Sequence, residues 1–237
     1  MKISFVIPTY NEHGNIDRLI KKINSITKEH NLTNEIIIVD DNSTDGTIDD
    51  VRNLQKTQDN IKLIVRDKLL GIGTAHIDGY NQATGDLIIS MDADLQHPPE
   101  KIPEFIAKIK IGYDVVVSSR YMKGGSTETS FHNRIISKLG GIYLSLMFGI
   151  KIKDFSTGYR AIKMEVWQKI RNYRYSSKNV FLIESVYYAH KNGAKITDIP
   201  ILFKKRDMGE SKTPFISESI KSLMLPFKVI FSSIKRK

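Results

Sequence analysis

The fold is indicated first by the stretch Leu87-Ile88-Ile89-Ser90-Met91-Asp92-Ala93-Asp94-Leu95-Gln96. An apolar run typical of a buried strand ends in two carboxylates, Asp92 and Asp94, that are one residue apart. The carboxyl ends of strands in open α/β sheets are where ligands bind. Carboxylate oxygens suit Mg²⁺ or Mn²⁺ held together with substrate phosphates, although surface turns also contain Asp-x-Asp pairs.

The composition limits the class of protein. The chain has 237 residues, no cysteine and a formal charge of +10. This length suits one large α/β domain, and the lack of cysteine excludes disulfides, thiolate metal sites and a cysteine nucleophile. The positive charge points towards phosphates, nucleic acid or an anionic membrane face as partners, but on charge alone a merely basic soluble surface is the preferred explanation. We expect no signal peptide and no transmembrane helix, since the longest apolar candidate, residues 140–150, is too short.

Strand and helix patterns alternate through the first half of the sequence. Ser43 or Thr44 is expected to cap the helix that follows the second strand. Because apolar strands separated by helices indicate a parallel sheet covered on both faces, we predict one α/β domain. The predicted strands are residues 3–7, 35–39, 61–65, 87–91, 114–118, 156–163 and 195–203; the predicted helices are residues 15–28, 71–83, 131–150 and 183–190, with others after Thr47 and Pro99.

Three strand ends carry related polar groups: Pro8-Thr9-Tyr10-Asn11-Glu12, Asp40-Asp41 and Asp92-Ala93-Asp94. In a parallel sheet these ends lie along one edge. The Tyr10 ring offers a base a surface to stack on, and Glu12 and Asp41 can accept hydrogen bonds from a base or a ribose. The ordinary alternatives are that Asp40-Asp41 are turn residues and that Tyr10 fills the core.

Other well-known site patterns are missing from the sequence. It contains no phosphate-binding Gly-x-x-x-x-Gly-Lys-Ser/Thr loop, no Gly-x-Gly-x-x-Gly and no Gly-x-Ser-x-Gly nucleophile turn. The histidines lack metal-ligand spacing, so each is expected to be structural or solvated, including His76, His97, His132 and His190.

Six segments together closely resemble glycosyltransferase family 2, which has the GT-A fold, and within it most of all the dolichol-phosphate mannose synthases. The resemblance runs from residue 3 to about residue 212 and implies a Rossmann-like GT-A catalytic domain over residues 1–212. The segments are residues 8–12, 39–47, 91–99, 119–121, 154–161 and 206–212.

The resemblance also implies roles for individual residues. Arg134 corresponds to a basic residue near the lipid phosphate, and Asp94 is the stronger candidate for a direct metal ligand. Asp94, Arg120 and Arg206 are the expected catalytic residues. The expected nucleotide contacts are Pro8, Tyr10, Glu12, Val39, Asp40 and Asp41; those to the diphosphate and Mg²⁺ or Mn²⁺ are Asp92, Ala93, Asp94 and Gln96; those to donor or acceptor phosphates are Arg120, Arg206 and Lys212.

The expected reaction is an inverting transfer of mannose from GDP-mannose to a polyprenyl (dolichyl) phosphate. An acceptor phosphate is already anionic near neutral pH and needs no strong general base, but its repulsion from the donor must be offset by the metal and by arginines. The same transfer from UDP-glucose or another nucleotide sugar is the nearest alternative. A basic membrane- or nucleic-acid-binding module is the non-enzyme alternative. Because the strand-end acids are intact, we expect an enzyme without a nucleic-acid partner.

The tail, residues 213–237, is expected to lie on a membrane. Its apolar positions recur at helical spacing, lysines repeat on another face, and Pro226 would kink or divide the helix. A helix packed on the catalytic domain, or a coiled-coil face, is the alternative. Residues 131–150 offer a second interfacial helix with Arg134 and Lys138 at headgroup level. We therefore expect a peripheral protein on the cytoplasmic face, and a membrane subunit stays open as a partner. The tail positions are Ile216, Ile220, Leu223, Phe227, Ile230 and Ile234, with Lys221, Lys228 and Lys235.

Overall fold

The computed structural model describes residues 1–204, 223–227 and 229. Within these residues the strands are β1 (Lys2–Thr9), β2 (Thr33–Asp40), β3 (Ile61–Val65), β4 (Leu87–Ser90), β5 (Val115–Ser119), β6 (Ser126–Thr127), β7 (Arg160–Lys163), β8 (Ile196–Pro200) and β9 (Leu202–Phe203). The helices are α1 (Asn15–Glu29), α2 (Thr47–Gln55), α3 (Ile72–Gln82), α4 (Ile102–Lys110), α5 (Phe131–Phe148), α6 (Met164–Ile170) and α7 (Val180–Lys191). A 3₁₀ turn, Pro99–Lys101, leads into α4.

The central sheet has the strand order β3-β2-β1-β4-β7-β5-β8, and β6 and β9 form a small parallel pair. Every neighbouring pair in the central sheet is parallel except the two that involve β7, which is antiparallel to both β4 and β5. The predicted α/β class with a mostly parallel sheet is therefore confirmed. The reversed strand β7 brings the residues before it to the edge where β4 and β5 end.

The sheet is buried on both faces, as its apolar strands predict. Side chains alternate along β1: Phe5 and Ile7 pack in the core formed with α1 and α4, whereas Val6 packs in the core formed with α3, α6 and α7. Helix α3 lies so close to the sheet that a Cβ on Gly79 would overlap Cγ1 of Val6. A glycine is needed there for the space it leaves, since a Cβ would also lie 3.1 Å from Cγ2 of Val39 in β2.

Some local predictions differ from the structure. Helix α2 starts at Thr47 after Gly46, which has a φ of 101° and makes no side-chain capping bond, so the prediction of a Ser43 or Thr44 cap is wrong. The polar side chains before α2 bond across to the β1–α1 loop instead. Helix α6 was not predicted, and β7 starts at Arg160 because residues 154–159 form a loop.

The tail prediction falls mostly outside the described residues, as does the proposed boundary at residue 212. Residues 223–227 are helical through Pro226. Leu225 and Val229 are buried in the core that also contains residues of α5, whereas Leu223 and Phe227 are exposed. No helix among the described residues has the length and apolar character needed to cross a membrane. Ile216, Ile220, Lys221, Lys228, Ile230, Ile234 and Lys235 lie outside the described residues.

Glu35 joins three strands at the edge of the sheet opposite the strand-end acids. Its buried carboxylate accepts hydrogen bonds from Ser4 Oγ at 2.6 Å, from the Thr84 backbone N–H at 2.6 Å and from Lys62 Nζ at 3.0 Å. Burial alone would raise the pKa of Glu35, but these hydrogen bonds outweigh burial and lower it to about 2. The charged form therefore stabilises the fold.

Glu35→Gln is expected to lower the free energy of unfolding at neutral pH by about 2 kcal/mol, because the hydrogen-bonded charge is lost. The pKa in the folded state lies below the ordinary value of 4.5, so this stabilisation is present above pH 4.5 and is lost as the pH falls towards 2. Urea unfolding should thus show a large difference in stability between the unmodified protein and Glu35→Gln at about pH 7, and a smaller difference at about pH 3. Glu29→Gln, at an exposed position, is the control; equal losses at both pH values would contradict the prediction.

Candidate active site

Asp40 ties the ends of β1 and β2 together from inside the protein. It is fully buried, and its carboxylate accepts hydrogen bonds from Thr9 Oγ1 at 2.8 Å, from Ser43 Oγ at 2.7 Å and from the Ser43 backbone N–H at 2.7 Å. A carboxylate enclosed in this way positions the two loops and does not face a ligand. The Asp40 carboxylate therefore has a structural role, and the expected substrate contact of Asp40 stays a prediction.

The loops after β1 and β2 are joined by further side-chain bonds. Asn11, with a φ of 56°, donates its backbone N–H to Ser43 Oγ at 2.8 Å, and the Glu12 backbone N–H donates to Thr47 Oγ1 at 2.8 Å. These bonds hold the partly exposed side chains of Tyr10 and Glu12 on the loop next to the one that starts with Asp41. Two of the three predicted strand ends therefore form one surface.

Asp41 is paired with Arg66, a residue that the sequence interpretation missed. The buried Arg66 guanidinium forms an ion pair with Asp41, and Arg66 also donates to Thr74 Oγ1 at 2.7 Å and to the Gly71 carbonyl at 3.1 Å. The Gly71 backbone N–H donates to Asp41 at 3.2 Å. Arg66 directly follows β3, so extending the strand-end argument from acids to bases would have found it.

Three other predicted contacts differ in exposure. The side chains of Val39 and Ala93 are buried in the two hydrophobic cores, and Pro8 is partly buried. A ligand contact at Val39 or Ala93 would therefore use backbone atoms. The two buried side chains anchor the backbone at these positions to the hydrophobic cores.

Asp92, Asp94 and Gln96 lie in a tight turn after β4. Leu95 has a φ of 62°, and the Gln96 backbone N–H donates to Asp94 Oδ1 at 3.1 Å. The Gln96 side-chain amide donates to the Lys204 carbonyl at 2.6 Å, which links the turn to the end of β9. These bonds fix the turn that carries the two acids.

Asp92 and Asp94 carry oxygen atoms of the kind that bind a divalent cation. Across residues 1–204, 223–227 and 229, no group of three or more His, Asp or Glu side chains is arranged to hold a metal. Mg²⁺ and Mn²⁺ commonly use one or two protein carboxylates and complete their coordination with water and substrate phosphate oxygens. Asp92 and Asp94 supply hard oxygen ligands of this kind, so these residues fit such an ion bound together with a diphosphate.

His97 lies against this turn. Its Nδ1 accepts a hydrogen bond from the Asp92 backbone N–H at 3.0 Å, and its ring stacks on Tyr159 with 5.2 Å between centroids. Burial lowers the pKa of His97 to about 4, against the opposing charge of Asp94, so the ring is neutral near pH 7. His97 was expected to be either structural or solvated, and the buried ring is structural. Its contact with Asp92 places it beside the candidate site.

The loop before β7 supplies the partner of Arg120. The Arg120 guanidinium donates to both oxygens of the buried Asp154, at 2.7 and 3.1 Å, and to Ser156 Oγ at 2.8 Å. Burial opposes the charge on Asp154, but Arg120 outweighs it and holds the Asp154 pKa below its usual range. Burial opposes the charge on Arg120 as well, but attraction and hydrogen bonding to Asp154, and more weakly attraction to Asp92, raise the Arg120 pKa. Arg120 is thus a fixed cation near the carboxylate pair.

Buried Arg160, the first residue of β7, anchors this loop. Its guanidinium donates to the carbonyls of Phe155 and Thr157 in the loop. It also donates to two acceptors in helix α7, the Leu182 carbonyl at 2.5 Å and Ser185 Oγ at 3.1 Å. Burial lowers the Arg160 pKa to about 10, which still leaves the side chain charged at neutral pH. The sequence interpretation included this loop in a resembling segment but did not pair Asp154 with Arg120.

Of the other predicted phosphate-binding cations, the structure describes Arg134 alone among Arg134, Arg206 and Lys212. Arg134 is exposed on α5, with its guanidinium 5.6 Å from the ring centre of Phe131. Arg206 and Lys212 lie outside the described residues. The described part of the site therefore contains Tyr10, Glu12, Asp41, Asp92, Asp94, Gln96 and Arg120 along one sheet edge.

Comparison with known proteins identifies the family of the chain. The model of the family described as glycosyl transferase family 2 matches residues 4–171. The chain belongs to glycosyltransferase family 2. A dolichol-phosphate mannosyltransferase of Pyrococcus furiosus is 38% identical over 90% of this chain, which spans 59% of the length of that relative. A polyprenol monophosphomannose synthase of Mycolicibacterium smegmatis is 30% identical over 87% of this chain and 79% of its own length.

Solved structures confirm the GT-A fold expected of family 2. A glucosyl-3-phosphoglycerate synthase from Mycobacterium tuberculosis, solved with Mn²⁺, UDP and phosphoglyceric acid, has a TM-score of 0.69 and 18% identity over 95% of this chain and 78% of its own. The same synthase solved with Mg²⁺ and UDP has a TM-score of 0.68 and 17% identity, with coverage of 95% and 79%. At these identities the likeness shows the fold alone.

Asp154→Asn is expected to destabilise the protein by about 2–4 kcal/mol, because it leaves the largely buried Arg120 without its carboxylate. The loss would appear as a lower urea midpoint at pH 7 with an unchanged slope. Asp17→Asn is the matched control, since Asp17 forms an exposed ion pair with Lys21 on α1 that contributes less than about 0.5 kcal/mol. Equal losses in the two variants would show that Asp154 does not hold Arg120.

Proposed function

We propose that the protein transfers mannose from GDP-mannose to a polyprenyl phosphate at a membrane surface, with inversion at the anomeric carbon. The observation that carries this proposal is that three groups follow strands that end at one sheet edge. The groups are the carboxylates Asp92 and Asp94, the nucleotide-side residues Tyr10, Glu12 and Asp41, and the cation Arg120. Relatives named for polyprenyl-phosphate mannosyl transfer, at 29–38% identity over most of the chain, support the choice of sugar and acceptor.

The donor would lie across the ends of β1, β2 and β4. Tyr10 supplies a ring on which the base stacks, and Glu12 and Asp41 accept hydrogen bonds from base or ribose groups. Asp92 and Asp94, with the Gln96 side chain, would hold the metal and the diphosphate. A bound Mg²⁺ or Mn²⁺ supplies Lewis-acid stabilisation of the negative charge on the departing diphosphate.

The protein's own part in the reaction is to bring two anions together. An oxygen of the acceptor phosphate attacks the anomeric carbon, a new C–O bond forms, and the bond to the diphosphate oxygen breaks, with its electrons leaving on GDP. The phosphate oxygen is already anionic, so no side chain has to remove a proton. Arg120, held by Asp154, and Arg134 offset the repulsion between the phosphates, and we propose the same role for Arg206 and Lys212.

Asp94→Asn is expected to lower the rate of mannosyl transfer by at least about a hundredfold, because a metal ligand is worth several kcal/mol in the transition state. The assay uses GDP-mannose, a polyprenyl phosphate and Mn²⁺, with Asp49→Asn as an exposed control on α2. Undiminished transfer in Asp94→Asn would contradict the metal-centred site. Transfer from UDP-glucose and not from GDP-mannose would contradict the proposed donor.

The membrane part of the proposal is supported by an apolar surface on α5. Its outer side chains are large and apolar, with Leu139 59% and Leu146 79% exposed. Helical residues 223–227 adjoin this surface, since Tyr143 of α5 donates to the Leu223 carbonyl at 3.0 Å. Arg134 and Lys138 on the same helix suit anionic headgroups. The exposed apolar side chains are Phe131, Ile135, Ile136, Leu139, Ile142, Leu146 and Met147 of α5, with Leu223, Met224 and Phe227.

Replacing Leu139 and Leu146 together with Asp is expected to weaken binding to vesicles of anionic phospholipid by at least about tenfold, because the burial of two leucines is lost. Co-sedimentation with the vesicles measures this change. Ile111→Asp is the matched control, since Ile111 is 70% exposed and follows α4, which packs in the other core. An equal effect of Ile111→Asp, or none of the double substitution, would contradict the proposed surface.

A further inference from the structure

Two residues that are not among the proposed metal ligands, His97 and Gly158, lie against Asp92. Its backbone N–H donates to Nδ1 of the buried His97, and Gly158 lies so close that a Cβ there would be 2.8 Å from Asp92 Oδ1. We propose that His97 and Gly158 form a clamp that sets the direction of the Asp92 carboxylate towards the cation and the diphosphate. This inference rests on the proposed metal-assisted function and adds two positioning residues to it.

The His97 side of the clamp depends on one nitrogen atom. A backbone N–H can only donate, so Nδ1 must be the unprotonated acceptor and the ring proton must lie on Nε2. Tyr159 and Phe203 contact the ring, with centroids at 5.2 and 5.6 Å, and the Tyr159 hydroxyl is itself anchored to the Pro98 carbonyl at 3.0 Å. This packing fixes the plane of the ring and so the point to which the Asp92 backbone is bound.

The Gly158 side depends on space. Gly158 does not lie in the left-handed region, so its backbone conformation is open to other residues, and only the nearby carboxylate restricts the position. Its carbonyl accepts a hydrogen bond from Ser90 Oγ at 2.7 Å, and Ser90 in turn accepts one from the Tyr80 hydroxyl at 2.8 Å. These buried contacts prevent Gly158 from moving away, so an added methyl group would displace Asp92.

The clamp matters because the two acids differ in exposure. Asp94 is 4% exposed and is held within its own turn by the Gln96 backbone N–H, whereas the Asp92 side chain is 30% exposed. Two carboxylates bind one ion only when both point to it. Residues that orient metal ligands typically change metal affinity by about 10–100-fold when they are replaced.

The acceptor role is tested by comparing His97→Phe with His97→Asn. Phenylalanine keeps an aromatic ring without the acceptor, whereas the asparagine Oδ1 restores an acceptor near the position of Nδ1. We expect Mn²⁺ affinity, measured by electron paramagnetic resonance titration with GDP present, to fall about tenfold in His97→Phe and to recover in His97→Asn. Wild-type affinity in His97→Phe, or equal weakening in both variants, would overturn the role of Nδ1.

Gly158→Ala tests the second side and is expected to weaken Mn²⁺ binding about tenfold. Gly140→Ala is its control, since a Cβ on Gly140 of α5 meets no atom within 4 Å. His76→Phe controls for the loss of a buried imidazole, because His76 bonds to the Ile72 carbonyl at 2.8 Å, and it should keep Mn²⁺ affinity. Wild-type affinity in Gly158→Ala, or weakening as large in His76→Phe, would overturn the clamp.

Asp94→Asn distinguishes the two levels of the proposal in the same titration. If Asp94→Asn binds Mn²⁺ with GDP as tightly as the unmodified protein, the metal-assisted function itself is wrong. If Asp94→Asn loses affinity while His97→Phe and Gly158→Ala keep it, the clamp alone is wrong.

Discussion

The candidate site depends on the reversed direction of β7. Because β7 runs antiparallel between β4 and β5, the loop before it lies at the edge where those two parallel strands end. That loop brings Gly158 against Asp92 and Asp154 against Arg120. A parallel β7 would place the same loop at the opposite edge, and the carboxylate turn and the arginine would each lose a neighbour.

Buried charges at this edge are matched with bonds rather than left to solvent. Asp41 pairs with Arg66, Asp154 pairs with Arg120, and Arg160 donates to carbonyls and a hydroxyl. Burying a charge costs several kcal/mol unless such partners offset it, so these groups hold the loops in one arrangement. In our proposal this order prepares a cationic surface and an anionic surface on either side of the reacting groups before substrates bind.

Much of the fold followed from local patterns. Apolar runs alternating with helical stripes predicted an α/β sheet, and the first five strands lie within two residues of their predicted ends because burial on both faces leaves a clear signal. The polar residues after three of these strands were recognised because they directly follow apolar runs whose ends are clear in the sequence. The structural role of Asp40 could not be predicted, since a carboxylate that ties two loops and one that faces a ligand follow a strand in the same way. Arg66 was missed because the strand-end argument was applied to acids and not to bases, and its partner Asp41 is 25 residues away in sequence.

The sequence by itself determined the class of fold, the family resemblance and the position of the acids, because these depend on periodicity and on short motifs. Only the tertiary structure decided that β7 is reversed, that His97 bonds to the Asp92 backbone and that Arg120 pairs with Asp154. The physical reason is that strand direction, ion pairing and packing join residues distant in the chain. The Asp92-Ala93-Asp94 motif is thus readable in sequence, whereas the direction of its carboxylates is set by the residues folded around it.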